Sequence, residues 1–174
     1  MENQVLQVLK TRRSVRKYQQ KQVEESALAA ILEAGSYAAT GRNKQSPVIV
    51  AVQDPATREQ LRRMNATVMG RDDDPFYGAP CVMVVLAEKT AHTYVYDGSL
   101  TLGNMMLAAH EAGVGSCWIH RAKEVFEQPE WQEWLRSIGV GEEVEGIGNL
   151  VVGYPDGEMP AAKERRPGRV FWVE

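Results

Sequence analysis

The sequence contains few of the residues that form disulfide frameworks and metal sites. Among its 174 residues are two cysteines, Cys81 and Cys117, and three histidines, His92, His110 and His120. Each cysteine lies inside an apolar run, which favours reduced, buried thiols over a disulfide bridge. The histidines are too widely spaced for an H-E-x-x-H pattern, and Cys117 with His120 makes a pair without further ligands, so we predict no metal site.

Long apolar runs and an excess of positive charge are also missing. No stretch without a charged residue exceeds thirteen residues, the length of 98–110, whereas a membrane helix needs about 20. The 20 lysines and arginines are outnumbered by 23 acids, and the net charge of −3 argues against a nucleic-acid-binding protein. Residues 1–10 lack the basic start and long apolar core of a signal peptide. We therefore expect a cytoplasmic protein that binds neither membranes nor nucleic acids.

The common motifs of nucleotide-binding and hydrolytic enzymes do not occur. Neither G-x-G-x-x-G nor G-x-x-x-x-G-K-[ST] is present, and Gly146 and Gly148 come nearest but lack the third glycine. No G-x-S-x-G elbow is present either, which argues against an α/β-hydrolase.

Size and composition fit one globular domain over residues 1–174, with 44% apolar and 25% charged residues. Hydrophobic periodicity predicts helices at residues 5–11, 24–38, 93–112 and 129–137, and another after the N-cap Asp54. Near-continuous apolar runs predict buried strands at residues 47–53, 81–87, 116–120 and 145–154. By itself, this alternation suggests an α/β layer fold.

The sequence predicts the structural role of three further segments. Residues 70–80, with three consecutive aspartates and two prolines, are predicted to form a mobile loop. The polar tail after Pro155 is predicted to be an arm that ends in a strand at residues 170–173. The helix over residues 100–109 is apolar nearly all round, so we expect a second subunit to cover it in a homodimer, with Met105 and Met106 in the interface.

The densest basic cluster, residues 12–17, allows two interpretations. Cations near a helix C-terminus are favoured by the helix dipole, so the cluster could be a solvated helix end. Alternatively, the arginines and Ser14 bind a phosphate, for which guanidinium groups are suited by their bidentate geometry.

Two other polar segments also allow two interpretations each. Lys163, Arg165 and Arg166 form either a solubilising tail or part of an anion site. The amides of the loop at residues 40–45 either satisfy loop backbone, as is usual for asparagine in turns, or contact the polar edge of a planar ring.

In this order, these features resemble the FMN-dependent nitroreductase family over essentially all 174 residues. The resemblance is carried by Arg-Arg-Ser-x-Arg at 12–16, Asn-x-Gln at 43–45, Gly-Ala-Pro at 78–80, the apolar helix through 107–109, Ser-Cys-Trp-Ile at 116–119, and the tail from Gly153 through Lys163 and Arg165. The resemblance implies an α+β fold with a central mixed sheet flanked by helices. It also implies a tight homodimer with one FMN at each of two subunit interfaces and a C-terminal arm that reaches the partner subunit.

The resemblance also implies a set of cofactor-binding residues. The opening motif, which contacts the flavin phosphate, ribityl chain and pyrimidine, corresponds to Arg12, Arg13, Ser14 and Arg16. The tail cations that complete the phosphate site correspond to Lys163 and Arg165. The loop brought from the partner subunit corresponds to Thr40, Asn43 and Gln45, and a polar contact near the pyrimidine corresponds to Asn65.

The chain departs from the family pattern at two places. Gln45 is followed by serine before the proline, where relatives often continue with Pro-Trp. Where relatives offer a backbone amide to flavin N5, this chain has Ile119, His120 and Arg121. There, His120 is either a surface histidine or a functional side chain, and the neighbouring Trp118 either packs in the core or stacks near the cofactor.

The implied activity passes electrons from NAD(P)H through flavin N5 to nitroaromatics, quinones or related acceptors by a ping-pong mechanism. No catalytic side chain is expected because the flavin carries the chemistry. Two alternatives remain: a flavin-dependent dehydrogenase or dehalogenase on the same scaffold, which the loop at residues 71–77 would decide, and a non-catalytic flavin-binding or sensing protein.

Overall fold

Four strands form the centre of the chain over the residues that the computed structural model describes, 3–141 and 143–174. They are β1 (Pro47–Val52), β2 (Cys81–Glu88), β3 (Gly115–Ile119) and β4 (Val144–Gly153). Within the same residues there are six α-helices: α1 (Gln4–Thr11), α2 (Glu25–Ser36), α3 (Pro55–Met69), α4 (Tyr94–Glu111), α5 (Ala122–Phe126) and α6 (Pro129–Ser137). The positions of the strands and helices predicted within the first 154 residues are confirmed to within a few residues at their ends, and α5 is an addition. The burial predicted for residues 47–53 is wrong, because β1 lies at the edge of the sheet and only Val52 of this strand is buried.

The strands pair in the order β1-β2-β4-β3, and all three pairings are antiparallel. Parallel pairing in the described part of the chain is limited to an isolated bridge between Ser14 and Ser116. The α+β class implied by the resemblance is confirmed, and the α/β layer fold suggested by the alternation of elements is wrong. The reason is that a buried apolar strand has the same sequence pattern in either direction, so the pattern does not fix the pairing.

Helices cover both faces of the sheet. On one face, Leu61 of α3 and Trp131 of α6 belong to the core. On the other face, Ile31 of α2 and Met105 of α4 do so. Residues 81–87 of the central strand β2 are all buried, which explains why their sequence is continuously apolar rather than alternating. In the described part of the chain, no helix combines the length and apolar character needed to cross a membrane.

The two thiols behave as predicted. Cys81 and Cys117 are both buried and free. Burial raises the pKa of the Cys81 thiol to about 12, because the charged thiolate is unfavourable away from water. Cys81 is therefore an inert core residue.

The aspartate-rich loop is anchored along its second half. The Asp74 carboxylate accepts hydrogen bonds from the backbone amides of Phe76 and Gly78, both at 2.8 Å, and pairs with Arg58 at 3.3 Å. Arg58 also donates to the carbonyl of Ala79 at 2.8 Å, and Phe76 is fully buried. The composition predicted a mobile segment. It could not reveal these hydrogen bonds, because they depend on Arg58 of α3 and on backbone amides within the loop.

Asp74→Ala is expected to lower the free energy of unfolding by about 1.5–3 kcal/mol, because it removes hydrogen bonds to a charged group and the closer of the two ion pairs of Arg58. The matched control is Asp73→Ala. Asp73 pairs with Arg71 on the surface, where the two side chains are 53% and 46% exposed, so its loss should cost well under 1 kcal/mol. Urea denaturation of the three proteins measures both effects, and equal losses in the two variants would contradict this account.

The C-terminal tail does not form the predicted strand. The described residues 156–174 contain no strand, and Val170, Phe171, Trp172 and Val173 are 76–99% exposed. A strand needs a neighbour to accept and donate its backbone hydrogen bonds, and the tail has none among the described residues of its own chain. The prediction is therefore wrong for the single subunit.

Candidate cofactor site

The basic cluster at residues 12–17 follows α1 directly and runs along the edge strand β3. The backbone amide of Val15 donates to the carbonyl of Ser116 at 3.0 Å. The hydroxyl of Thr11, the last residue of α1, lies 2.7 Å from Nε2 of His110 on α4. These two contacts fix the backbone on both sides of Arg12.

Two guanidinium groups of the cluster contain buried nitrogen atoms without a hydrogen-bond partner, Arg12 Nη1 and Arg13 Nε. Another nitrogen of Arg13, Nη1, donates to the carbonyls of Lys10 and Arg12 at 2.8 and 2.6 Å. Among the described residues, no carboxylate forms an ion pair with Arg12, Arg13 or Arg16. An unsatisfied buried donor costs about 1–3 kcal/mol, and more when it is charged. The structure therefore favours the phosphate-binding interpretation over a solvated helix end.

Three side chains of the cluster influence one buried group of β3, the thiol of Cys117. Burial is the largest influence on this thiol and raises its pKa, while Arg16, the hydroxyl of Ser14 and Arg12 act in the opposite direction. Arg16 also lies over the ring of Tyr77 at 5.9 Å. Arg12, Ser14 and Arg16 thus act on the same buried thiol, which agrees with the phosphate-binding interpretation.

Asn65 occupies a fully buried position on α3. Its Nδ2 donates to the carbonyl of His120 at 3.2 Å, and its Oδ1 is buried without a partner. Asn149 of β4, whose register partner is Ile119, is also fully buried, and neither of its side-chain amide atoms has a partner. Buried amides of this kind need a ligand or an ordered water.

At the end of β3, the candidate residues Trp118, Ile119 and His120 lie in different surroundings. Ile119 packs in the core on the α3 face and is 6% exposed, so only its backbone can face a ligand. Trp118 packs on the opposite face, where a side chain on Gly148 would overlap its indole nitrogen. This placement favours core packing for Trp118. His120 is exposed, and Arg121 follows it with φ 80° and pairs with Glu124 at 2.6 Å.

The loop with Thr40, Asn43 and Gln45 precedes β1 and contains a 3-10 turn, Gly41–Asn43. Asn43 and Gln45 are exposed, and the Gln45 side-chain amide donates to Oδ1 of Asn43 at 3.4 Å. The backbone amide of Gln45 donates to the hydroxyl of Thr40 at 3.0 Å. The structure thus brings these three residues together, and no hydrogen bond links them to the basic cluster of the same subunit.

Among the described residues, no hydrogen bond joins the tail cations to the opening motif of the same chain. Lys163 and Arg165 are exposed, and the Arg165 side chain donates a hydrogen bond to the carbonyl of Lys163 at 3.0 Å. Their expected contact with a shared phosphate stays a prediction.

An apolar groove of about 460 Å³ lies between α1, α2 and α4, and its lining includes Val5, Val8, Tyr37 and Leu107. Tyr96 and Leu100, on α4, are 72% and 52% exposed, and with Leu107 they recur at helical spacing along one stripe. Met105, in contrast, is fully buried within its own subunit. The prediction that Met105 lies in a subunit interface is therefore wrong. The exposed stripe of α4 lies on a neighbouring face of the helix.

Sequence reasoning missed Asp97, which is 2% exposed and accepts hydrogen bonds from the loop. It also missed the buried Asn149. The available signal for Asp97 was a lone acid immediately before the uncharged stretch 98–110. For Asn149, it was an amide inside the otherwise apolar run 146–153.

Comparison with known proteins places these features in a family. The sequence model of the family described as "Nitroreductase family" matches residues 9–141. A protein of Archaeoglobus fulgidus, provisionally named an NADH dehydrogenase/NAD(P)H nitroreductase, is 30% identical over 159 residues, which cover 88% of this chain and 86% of that protein. An NADPH-dependent oxidoreductase of Staphylococcus epidermidis is 24% identical and aligns over 82% of this chain and 66% of its own length.

The structure is similar to that of a solved nitroreductase with bound FMN from Bacteroides fragilis. The TM-score is 0.89, the sequence identity is 32%, and the match covers 99% of this chain and 100% of that chain.

Proposed function

The chain belongs to the nitroreductase family, and from this premise we propose that it is an FMN-dependent oxidoreductase that takes electrons from NAD(P)H. The relative from Bacteroides fragilis contains FMN, and the names of the sequence relatives include NAD(P)H- and NADPH-dependent activities. We propose that residues 1–174 act as one domain.

The observation that carries the proposal is the set of buried polar atoms without partners. Arg12 Nη1 and Arg13 Nε are donors, and Asn65 Oδ1 is an acceptor. The phosphate of FMN offers acceptors to the first two, and the pyrimidine edge of the flavin offers both donors and acceptors to an amide. The residues present therefore fit FMN.

The side chains that would hold the cofactor come from two subunits. From one subunit, the opening motif would contact the phosphate, ribityl chain and pyrimidine, and the tail cations would complete the phosphate site: Arg12, Arg13, Ser14, Arg16, Lys163 and Arg165. From the other subunit, the loop residues would reach the flavin: the partner subunit's Thr40, the partner subunit's Asn43 and the partner subunit's Gln45. Asn65 and the backbone at Ile119 and His120 would contact the ring.

When bound, FMN supplies the electron transfer between a nicotinamide donor and an acceptor. The work of the protein is to bind the cofactor, orient it and stabilise negative charge on its pyrimidine side, for which Arg13 and Arg16 are the candidates. His120, exposed at the end of β3, would border the open face. We propose that donor and acceptor use this face in turn, in a ping-pong scheme, and that nitroaromatics, quinones and related acceptors are reduced there.

The homodimer is part of the proposal. The groove along α1, α2 and α4 and the exposed stripe on α4 are apolar surfaces that a second copy would cover. The exposed tail at residues 170–173 is apolar as well, and as the arm that reaches the partner subunit it would gain the neighbour that it lacks within its own chain.

Anaerobic titration of the FMN-loaded protein with NADPH, and separately with NADH, tests the proposed function. We expect the flavin absorbance to bleach with at least one donor, and subsequent addition of a quinone or nitroaromatic to restore it. Purified protein that takes up no FMN would contradict the proposal. A flavin that stays oxidised with both donors would instead support a storage or sensing role.

A further inference from the structure

We propose that Asp97 is the positioning residue for the loop at residues 40–46, which it holds in the shape needed at the flavin of the partner subunit. The inference rests on the proposed function, because it assigns Asp97 a part in the same two-subunit site.

One carboxylate ties both ends of the loop to α4. Asp97 Oδ1 accepts a hydrogen bond from the backbone amide of Gly41 at 3.0 Å. Its Oδ2 accepts one from the hydroxyl of Ser46 at 3.0 Å and one from the hydroxyl of Thr93 at 3.1 Å. Asp97 and Ser46 are 2% and 1% exposed, and hydrogen bonds to an ionised acceptor in such surroundings are about twice as strong as neutral ones.

The loop needs this support because its backbone is strained. Arg42, Asn43 and Gln45 have φ values of 53°, 53° and 50°, in the left-handed region that residues with a side chain avoid. Such conformations persist only where the surroundings fix them. Among the described residues, Asp97 is the buried charged group that contacts the loop at both ends.

The loop also rests closely on the first turn of α4. A side chain on Gly41 would overlap the hydroxyl of Thr93, so the backbone of the loop lies directly against the residue that precedes the helix. Asn43 and Gln45 remain exposed. The clamp thus fixes the backbone while these two amides, joined to each other by a 3.4 Å hydrogen bond, stay exposed on the side where another molecule can contact them.

Asp97 lies on the same helix as the exposed stripe of Tyr96 and Leu100. A second subunit that covers this stripe would therefore meet the clamped loop in a fixed orientation. In this arrangement, the Asp97 carboxylate positions a loop that contacts the flavin bound by the other subunit, not the flavin bound by its own chain.

Asp97→Ala is expected to weaken FMN binding roughly tenfold, the effect of losing hydrogen bonds to a charged group, and to speed amide hydrogen exchange in residues 40–46. The matched control is Tyr94→Phe, which removes a 3.1 Å hydrogen bond to Glu145 at the same end of α4 without touching the loop, and should leave both quantities unchanged. If Asp97→Ala does not fold, Ser46→Ala replaces it, with an expected loss of about threefold.

Complementation between subunits distinguishes positioning from a general structural role. Two differently tagged chains, one with Arg12→Ala and one with Asp97→Ala (or Ser46→Ala), are coexpressed and the mixed dimer is isolated. One of its two sites then combines an intact Arg12 with an intact loop from the other chain, so we expect one FMN per dimer bound with wild-type affinity. Each homodimer should bind FMN weakly.

The outcomes separate the inference from the function it rests on. Absence of tight binding in the mixed dimer, or wild-type affinity in both loop variants, overturns the positioning role while wild-type protein still binds FMN. Wild-type protein that does not bind FMN in the same titration overturns the proposed function itself.

Discussion

Arg12→Ala is expected to lower the affinity for FMN ten- to hundredfold and to leave the apoprotein at least as stable as wild type. A hydrogen bond between a guanidinium group and a phosphate contributes roughly 1.5–3 kcal/mol, and each 1.4 kcal/mol changes a dissociation constant tenfold. Because Arg12 Nη1 is buried without a partner, the substitution removes no ion pair from the apoprotein and relieves an unsatisfied charge. Fluorescence titration with FMN measures the affinity, and thermal unfolding of the apoprotein measures the stability.

Lys17→Ala is the matched control for Arg12→Ala. Lys17 belongs to the same basic cluster, but its ammonium group is paired with Asp156 at 2.7 Å and is 76% exposed. Such surface pairs contribute about 0–1 kcal/mol, so FMN affinity should change less than threefold. An Arg12→Ala protein that keeps its full complement of FMN after dialysis would show that the cluster does not bind the phosphate.

Leu100→Glu is expected to convert the protein from a dimer to a monomer. Leu100 is 52% exposed in the single subunit, so a glutamate there costs the isolated chain little. In a dimer packed along α4, the same carboxylate would be buried without a partner, at a cost of several kcal/mol. Sedimentation should show wild-type particles of about twice the chain mass of 19.4 kDa and variant particles of the single-chain mass.

Ile138→Glu controls for the introduction of a charge at an exposed apolar residue. Ile138 follows α6 and is 46% exposed, far in sequence from the stripe on α4, and its substitution should leave the dimer intact. A monomeric wild-type protein, or a Leu100→Glu protein that remains dimeric, would contradict the proposed interface. Loss of FMN binding in Leu100→Glu would further support a site made by two subunits.

The sequence predicted what depends on local pattern and burial. The run at residues 47–53 forms a strand, which lies at the edge of the sheet and is only half-buried. The run at residues 81–87 is a buried strand because helices cover both faces of the sheet, and a continuously apolar segment has no other stable place. Cys81 and Cys117 are buried thiols for the same reason. The opening motif was found because arginines are rare so close together, although its phosphate-binding interpretation became favoured only when Arg12 and Arg13 proved to contain unpartnered buried nitrogen atoms.

Features that depend on contacts between distant segments could not be predicted. Strand direction follows from the connections, not from the apolar runs. On a helix that is apolar nearly all round, the core face of Met105 and the free face of Leu100 have the same pattern. The tail lacks a strand because a strand requires a neighbour, and Asp97 gains its role from a loop about fifty residues earlier in the chain.

The structure of the FMN-loaded protein tests the two-subunit site most directly. We expect the phosphate within hydrogen-bond distance of Arg12 and Lys163, and the flavin ring in contact with the partner subunit's Asn43. A cofactor held entirely by one chain, or bound away from Arg12, would contradict the account.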